Sequence, residues 1–150
     1  MKLKISESAV NFNKELLFGE VGSMIGAPLF SYISSKFTSS IETISTVTVV
    51  GAAIGASAFW LGMRIHDKLR KGEASEKKFL EDLAYLVPVA SLLVFTIYYP
   101  SLYLLSQYLL EHDYRAVSSA IISQVSSYTL FLLLINTYRY FLLRITGRKL

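Results

Sequence analysis

The chain has 150 residues, 53% of them hydrophobic, with a mean hydropathy of +0.45 and a formal net charge of +4. This length allows one domain, and the absence of cysteine excludes disulfides, thiolate metal sites and cysteine nucleophiles. Segments rich in basic residues alternate along the chain with loops that hold a single basic residue each. A nucleic-acid surface would not require this alternation. We therefore predict no nucleic-acid partner.

The apolar residues fall into four blocks, each long enough for the roughly 20 residues that cross a bilayer as a helix. The blocks lie at about 16–35, 44–63, 84–108 and 117–138. Helices of soluble bundles carry a charged face, which these blocks lack, although the first block contains Glu20. We predict an all-α integral membrane protein in which four transmembrane helices form a single domain.

The distribution of Lys and Arg predicts the orientation in the membrane. Of the 15 basic residues, all but Lys36 and Arg115 lie near the N-terminus, in the loop 64–82 or after residue 138. Cytoplasmic loops of membrane proteins carry an excess of basic residues. We predict a multi-pass protein of the cell membrane, with both termini and the loop 64–82 in the cytoplasm.

The two halves of the chain follow a similar pattern. Each half opens with a basic–acidic patch, FNKELL or KKFLEDL, and its second helix ends in aromatic residues and arginine, AFWLGMR or NTYRYFLLR. Both hairpins begin on the same side of the membrane, so the repeat is predicted to be parallel, with its axis along the membrane normal.

The third span carries Pro88 and Pro100. A proline removes a backbone donor and usually kinks a helix, so we expect a kink or a tilt in this span. Tyr98, Tyr99 and Tyr103 lie around Pro100. Tyrosine hydroxyls at that depth seek partners, and they could line a polar cavity.

Small residues repeat at helical spacing on the first two spans and predict a packing face. The set comprises Gly22 and Gly26 on the first span, and Gly51, Gly55, Ala58 and Gly62 on the second. Small residues let helix backbones approach closely in lipid, so helix packing is one interpretation. A groove that admits a lipid or a substrate is the other. The fourth span carries a comparable hydroxyl stripe, Ser119, Ser123 and Ser126.

Glu20 is the one carboxylate inside the first block. It lies four residues after Leu16, about 6 Å along a helix that rises 1.5 Å per residue. That depth predicts an acid at headgroup level, paired with Arg64 or Arg139 at the same surface. An ionisable residue within a span is also a candidate for function, and both interpretations stay open.

The arginines at the ends of the returning helices are candidates for binding a lipid phosphate, because the guanidinium group holds phosphate oxygens with a rigid fork of donors. Arg64 and Arg139 would make these contacts, and Lys68 and Arg144 would add positive charge. The alternative is that these residues only orient the protein in the membrane.

An enzyme is not predicted. The only histidines, His66 and His112, fall on opposite sides of the membrane in the four-span topology, so they cannot share a metal or a proton-transfer step. No nucleophile motif and no glycine-rich phosphate loop is present. We therefore predict no catalytic residue, no metal and no cofactor.

The stretches FWLGMR, INTYRYFLLR, KKFLEDLAYLV and LLFGEVGSMIGAPLF resemble the GtrA-like family of small four-helix membrane proteins. The resemblance covers most of the chain. It differs at Gly62, where the family has an asparagine, and at Asn136, which stands three residues before Arg139. The resemblance implies a polar role for Asn136. It also implies movement or presentation of polyprenyl-phosphate-linked sugars for cell-envelope glycosylation, with membrane lipids and a glycosyltransferase as partners.

Three functional hypotheses follow. The first is a transporter or flippase-like protein for a polyprenyl-phosphate-linked sugar. The second is a non-transporting anchor or assembly subunit, whose small-residue faces bind partner helices and whose loop 64–82 docks an enzyme. The third is an ion channel formed by homo-oligomerisation around a polar stripe such as Ser119, Ser123 and Ser126.

Overall fold

A computed structural model of the protein describes residues 7–71 and 91–146. Side chains are described for Lys14, 16–63, 91–138, Tyr140, Phe141 and Arg144. The helices are α1 (Glu7–Phe37), α2 (Ile41–Lys71), α3 (Tyr99–Glu111, after a π-helical turn, Val94–Tyr98) and α4 (Ala116–Thr146). No strand occurs in this part of the chain. The prediction of an all-α protein is confirmed there.

Four segments of the described chain are long and apolar enough to cross a membrane: one each in α1, α2 and α4, and one that comprises the π-helical turn together with α3. These segments are Leu16–Phe37, Ile41–Met63, Ser91–Glu111 and Ala116–Tyr138. Their large apolar side chains point outward: Phe95 is 70% exposed and Leu133 is 63% exposed. In water such a surface would be costly, whereas lipid tails are as apolar as these side chains. The structure therefore supports the prediction of a multi-pass membrane protein.

Short, well-capped turns join the helices in pairs. The Ser40 hydroxyl oxygen accepts a hydrogen bond of 3.3 Å from the Thr43 N–H and so caps the first turn of α2. α3 ends at Glu111. Asp113, two residues later, has a left-handed φ of 62°, and the Tyr114 N–H bonds the Leu109 carbonyl at 3.0 Å. This is the Schellman arrangement, which stops a helix and turns the chain sharply. Both turns are tight enough to lay the joined helices side by side.

Glycines bring α1 and α2 into backbone contact. Gly22 faces Gly55, and Gly26 faces Gly51. A Cβ atom built on Gly26 would collide with the Gly51 carbonyl group and would lie 3.2 Å from the Gly55 Cα atom. Removing the side chains thus lets the two helix backbones touch. We call these two glycine pairs the glycine seam.

The glycine seam ends at Gly22 and Gly55. A Cβ atom on Gly19 would lie 3.9 Å from the Ala56 carbonyl oxygen, and one on Gly62 would meet nothing within 4 Å. Ala58 is exposed as well. The structure therefore does not place Ala58 and Gly62 in the seam with the other small residues, because α1 and α2 separate beyond Gly22.

The π-helical turn precedes Pro100, in the span where the prolines predicted an irregularity. Its wide hydrogen bond runs from the Tyr99 N–H to the Val94 carbonyl. Pro100 has no N–H to donate, and π-helical turns often occur where a helix is interrupted, frequently at functional sites. The turn ends at Tyr98, whose side chain is buried inside the bundle. The other proline of that prediction, Pro88, lies outside the described residues.

Candidate functional site

The interior of the bundle is polar where its surface is apolar. The buried polar residues are Glu20, Ser23, Ser31, Ser34, Ser45, Thr48, Ser106, Ser119, Ser123, Gln124 and Ser127. On α1, the buried positions 20, 23, 27, 31 and 34 recur every three or four residues, which places them on one face of the helix. On α4, the buried polar residues Ser119, Ser123, Gln124 and Ser127 follow a similar spacing and also lie on one face of the helix.

Glu20 lies at the centre of a hydrogen-bonded cluster formed by three helices. Its side chain is 6% exposed, and both of its carboxyl oxygens accept hydrogen bonds. The Tyr98 hydroxyl donates to Oε2 at 3.0 Å, and the Gln124 amide nitrogen donates to Oε1 at 2.9 Å. The carboxyl group is therefore fixed by neutral donors from the π-helical turn and from α4.

Ser23 completes the cluster one turn along α1. Its hydroxyl accepts a hydrogen bond of 2.6 Å from the Gln124 amide and lies 3.1 Å from the Tyr98 hydroxyl. The Gln124 amide nitrogen also contacts the Tyr98 hydroxyl directly. We call Glu20, Ser23, Tyr98 and Gln124 the Glu20 cluster. Their mutual contacts join α1, the π-helical turn and α4 in one hydrogen-bonded network.

The cluster retains unused hydrogen-bonding capacity. Gln124 is fully buried, yet its Oε1 atom has no partner among the described residues, and the same is true of the Ser127 hydroxyl on the next turn of α4. Buried polar atoms without partners are uncommon in native interiors, and they lower stability. The Ser45 hydroxyl on α2 is a third such atom, so unpartnered polar atoms occur in the Glu20 cluster, at Gln124 Oε1, and elsewhere in the interior.

A cavity of about 320 Å³ opens beside Glu20. It is lined by Leu16, Gly19, Glu20, Ala56, Ser57, Trp60, Ser91, Val94, Tyr98, Tyr99, Tyr128 and Phe131. The cavity lies where α1 and α2 separate beyond the glycine seam. Aromatic rings contribute much of its wall, and Glu20 contributes the one carboxyl group among these lining residues.

An apolar layer separates the Glu20 cluster from a second polar layer. Ala27, Ala52 and Leu102 pack together with no exposed surface. Beyond them, the Ser31 hydroxyl donates to the Ala116 carbonyl at 3.0 Å, and the Ser119 hydroxyl donates to a carbonyl of α3 at 2.9 Å. The apolar layer thus interrupts the polar interior on α1 and α3, whereas on α4 the buried Ser123 lies between Gln124 and Ser119 and bonds the Ser119 carbonyl.

The residues predicted to bind a lipid phosphate are only partly described. The side chains of Arg64, Lys68 and Arg139 lie outside the described part of the chain, while Arg144 is exposed. The ion pair predicted between Glu20 and Arg64 or Arg139 stays a prediction for the same reason. What the structure does describe around Glu20 is a set of neutral hydrogen-bond donors.

Asn136 lies apart from the Glu20 cluster. It is exposed on α4, and its amide donates to the Leu132 carbonyl of the same helix at 2.8 Å. Together with Thr129 and Thr137 it lines a shallow groove on the outer surface of α4. The structure thus does not bring together the two residues predicted as polar sites.

The hydroxyl stripe of α4 is rotated relative to the prediction. Ser119 and Ser123 are buried, but Ser126 is exposed and Ser127 is buried instead. The buried face of α4 continues through Phe131 and so turns Ser126 outward. Of the tyrosines around Pro100, Tyr98 and Tyr99 line the cavity, whereas the Tyr103 hydroxyl accepts from the Gln107 amide at 2.9 Å.

Gln124 was not among the predicted site residues, although it contacts the three other members of the cluster. Its signal was present: a single carboxamide within the first half of an uncharged span, Ala116–Tyr138. An amide at that depth needs partners, which in a membrane protein come from neighbouring helices. In the described residues no group of three or more histidines and acids could hold a metal ion.

Together these features define a polytopic helical membrane protein with a polar interior built around a buried carboxyl group. Comparisons of the chain with protein-family models, with curated proteins and with solved structures found no match. The resemblance to the GtrA-like family therefore stays a prediction.

Proposed function

We propose that the protein is a small membrane transporter in which Glu20 is the central substrate-binding or ion-binding group. The observation that carries this proposal is the position of its carboxyl group, which is buried inside the bundle and also borders a cavity of about 320 Å³. Carboxyl groups within membrane spans are costly, and they typically mark substrate and ion pathways.

A purely structural role explains this arrangement less well. A buried polar cluster seldom stabilises a protein more than apolar side chains of similar volume would. The glycine seam already packs α1 against α2 without any contribution from Glu20. The unpartnered Gln124 and Ser127 atoms lower stability further. A functional site explains why the buried polar cluster and the unpartnered polar atoms are present although they lower stability.

The orientation that we propose places the cavity on the cytoplasmic side. The cavity lies near the beginning of the Leu16–Phe37 segment and near the end of the Ile41–Met63 segment. The positive-inside pattern of the loops assigns these ends to the cytoplasm. The apolar layer at Leu102 would then separate the cavity from the outer compartment.

The narrower prediction, a flippase for polyprenyl-phosphate-linked sugars, rests on Arg64 and Arg139 and on the GtrA-like resemblance. The Glu20 cavity does not favour a phosphate, because a carboxylate repels an anion strongly in a medium of low dielectric constant. Among transported species, the described site favours those that carry positive charge. Retention of a polyprenyl phosphate by the purified protein, lost in Arg64→Gln or Arg139→Gln, would test the flippase directly.

The transport proposal can be tested by recording from proteoliposomes on a solid-supported membrane. Concentration steps of protons, Na⁺, K⁺ and methylammonium should give transient currents with at least one of these cations in the wild type. Glu20→Gln should abolish that current. Glu42→Gln removes an exposed carboxyl group at the start of α2 and should retain it.

Three outcomes would overturn the proposal. Currents that persist in Glu20→Gln would show that Glu20 is not the central group. A steady, non-saturating conductance would indicate an oligomeric channel instead of a transporter. The absence of current with every cation would favour the anchoring subunit.

A further inference from the structure

We propose that the cavity beside Glu20 binds a small monovalent organic cation, of the alkylammonium or quaternary ammonium class. This inference rests on the proposed function and names its substrate class. It depends on three properties of the site: the volume of the cavity, the position of its carboxyl group and the aromatic composition of its wall.

The volume sets the size of the ligand. At about 320 Å³, the cavity is at the lower end of the range of roughly 300–1,000 Å³ that is typical of small-molecule sites. It therefore suits a compact ligand group held in contact with Glu20. A lipid chain would leave the Glu20 carboxyl group without a complementary charge.

The charge of the site determines the sign of the ligand. Glu20 is held by two neutral donors at 2.9 and 3.0 Å, and an ionised carboxylate has about four acceptor positions. None of the described lining residues is basic. A cation would thus compensate Glu20 in a site of low dielectric constant, where such a pairing is strong.

The wall of the cavity indicates that the cation is organic. Trp60 lines it from α2, Tyr99 from α3, and Tyr128 and Phe131 from α4. Four tyrosine and phenylalanine rings form a connected cluster. The centroids are 5.3 Å apart for Tyr98 and Tyr99, 6.0 Å for Tyr98 and Phe131 and 6.3 Å for Tyr128 and Phe131. Aromatic rings attract alkylated ammonium groups through cation–π interactions.

An inorganic divalent ion fits this wall poorly. Ca²⁺ requires six to eight oxygen ligands, and Mg²⁺ requires octahedral coordination. Beside Glu20, the lining side chains add the hydroxyl groups of Ser57, Ser91 and three tyrosines, while the rest of the wall presents rings and aliphatic carbon. The chemistry of the wall matches that of a methylated or alkylated ammonium group.

Trp60 provides the measurement, because it is the only tryptophan of the chain and lines the cavity. The purified full-length protein in detergent is titrated with choline and with 3,3-dimethylbutan-1-ol, its uncharged isostere, while the fluorescence of Trp60 is recorded. Choline should give a saturable change, and the alcohol should bind at least 10-fold more weakly.

Two variants and one control identify the site. Glu20→Gln should weaken choline binding at least 10-fold. Tyr99→Leu removes one ring and should weaken it by roughly 2- to 30-fold, the range expected for one cation–π contact. Tyr103→Phe removes a hydroxyl that bonds Gln107 outside the cavity and should bind choline as the wild type does. Circular dichroism checks that each variant is folded. If Glu20→Gln does not fold, Tyr99→Leu still tests the site.

The outcomes separate this inference from the transport proposal. Equal binding of choline and the alcohol, or full choline binding by both folded site variants, would overturn the organic-cation site. If choline does not bind but Glu20-dependent currents occur with protons or Na⁺, the inference fails and the transporter stands. If choline binds and no cation, choline included, gives a current, the site stands and the transport proposal fails.

Discussion

A single methyl group added within the glycine seam should separate α1 from α2. In Gly26→Ala, the new Cβ atom would collide with the Gly51 carbonyl group and would lie 3.2 Å from the Gly55 Cα atom. These are backbone atoms of a helix, so they cannot rotate away as a flexible side chain would. The helices must move apart, and the contacts along the seam weaken.

Gly62→Ala is the matched control. A Cβ atom there would meet nothing within 4 Å, although Gly62 lies in the same α2 helix that carries half of the seam. Replacing glycine by alanine inside a helix is favourable by about 0.8–1 kcal/mol in propensity, and this contribution is common to both variants. It cancels when the two variants are compared.

The difference between the variants therefore measures the steric cost of the seam alone. Overpacking of this kind costs about 1–3 kcal/mol. For a chain of this size, 1 kcal/mol shifts the melting temperature by roughly 2–4 °C. Gly26→Ala should thus melt about 2–12 °C below Gly62→Ala.

The assay is thermal unfolding in detergent micelles, followed by far-ultraviolet circular dichroism, with the wild type in parallel. Gly62→Ala should melt at or slightly above the wild-type temperature. Equal melting temperatures for Gly26→Ala and Gly62→Ala would refute the reasoning, because they would show that α1 and α2 do not rely on backbone contact at Gly26.

Two further substitutions test the interior. Gln124→Leu removes the donor to Glu20 and leaves a buried acceptor unpaired, so unfolding in denaturant titrations should become easier by about 1–3 kcal/mol. Gln107→Leu, half-buried and bonded outside the cluster, should change the free energy of unfolding by less; an equal loss would contradict the role of the cluster. Leu102→Ala should cost about 2–5 kcal/mol because Leu102 fills the apolar layer, whereas Leu104→Ala, with a side chain 62% exposed, should cost little.

The four spans could be predicted from sequence because the signal is local. A bilayer requires about 20 apolar residues, and that property is contained within each segment. The segment Ile41–Met63 begins three residues before the predicted 44–63 and ends at the same residue. The left-handed conformation of Asp113 in the turn before α4 was not predicted, because such a conformation at a non-glycine residue leaves little trace in the sequence.

The glycines of the seam could be predicted from the sequence, but the length of the contact between α1 and α2 could not. Spacing alone placed Gly51, Gly55, Ala58 and Gly62 on one face of a helix. How much of that face touches a neighbour depends on the angle at which α1 crosses α2. That angle is set by the whole bundle, so the exposure of Ala58 and Gly62 could not be read from the repeat.

Glu20 shows the same limit more clearly. Its depth could be counted along the helix, but its partners lie 78 and 104 residues away in sequence, at Tyr98 and Gln124. Sequence reasoning chose arginines as partners because they share a membrane surface with Glu20. The neutral donors depend instead on the π-helical turn, which positions Tyr98, and on the rotation of α4, which buries Gln124.

The glycine seam and the cavity are consequences of one helix crossing. On one side of Glu20, Gly22 holds α1 against Gly55; on the other, a Cβ atom at Gly19 would lie 3.9 Å from Ala56. Had the contact continued beyond Gly22, no cavity would exist beside the carboxyl group. Tyr98 and Gln124 bury the carboxyl group from the other helices. Glu20 is therefore both buried in the bundle and open to the cavity, the combination that a cation site within a membrane requires.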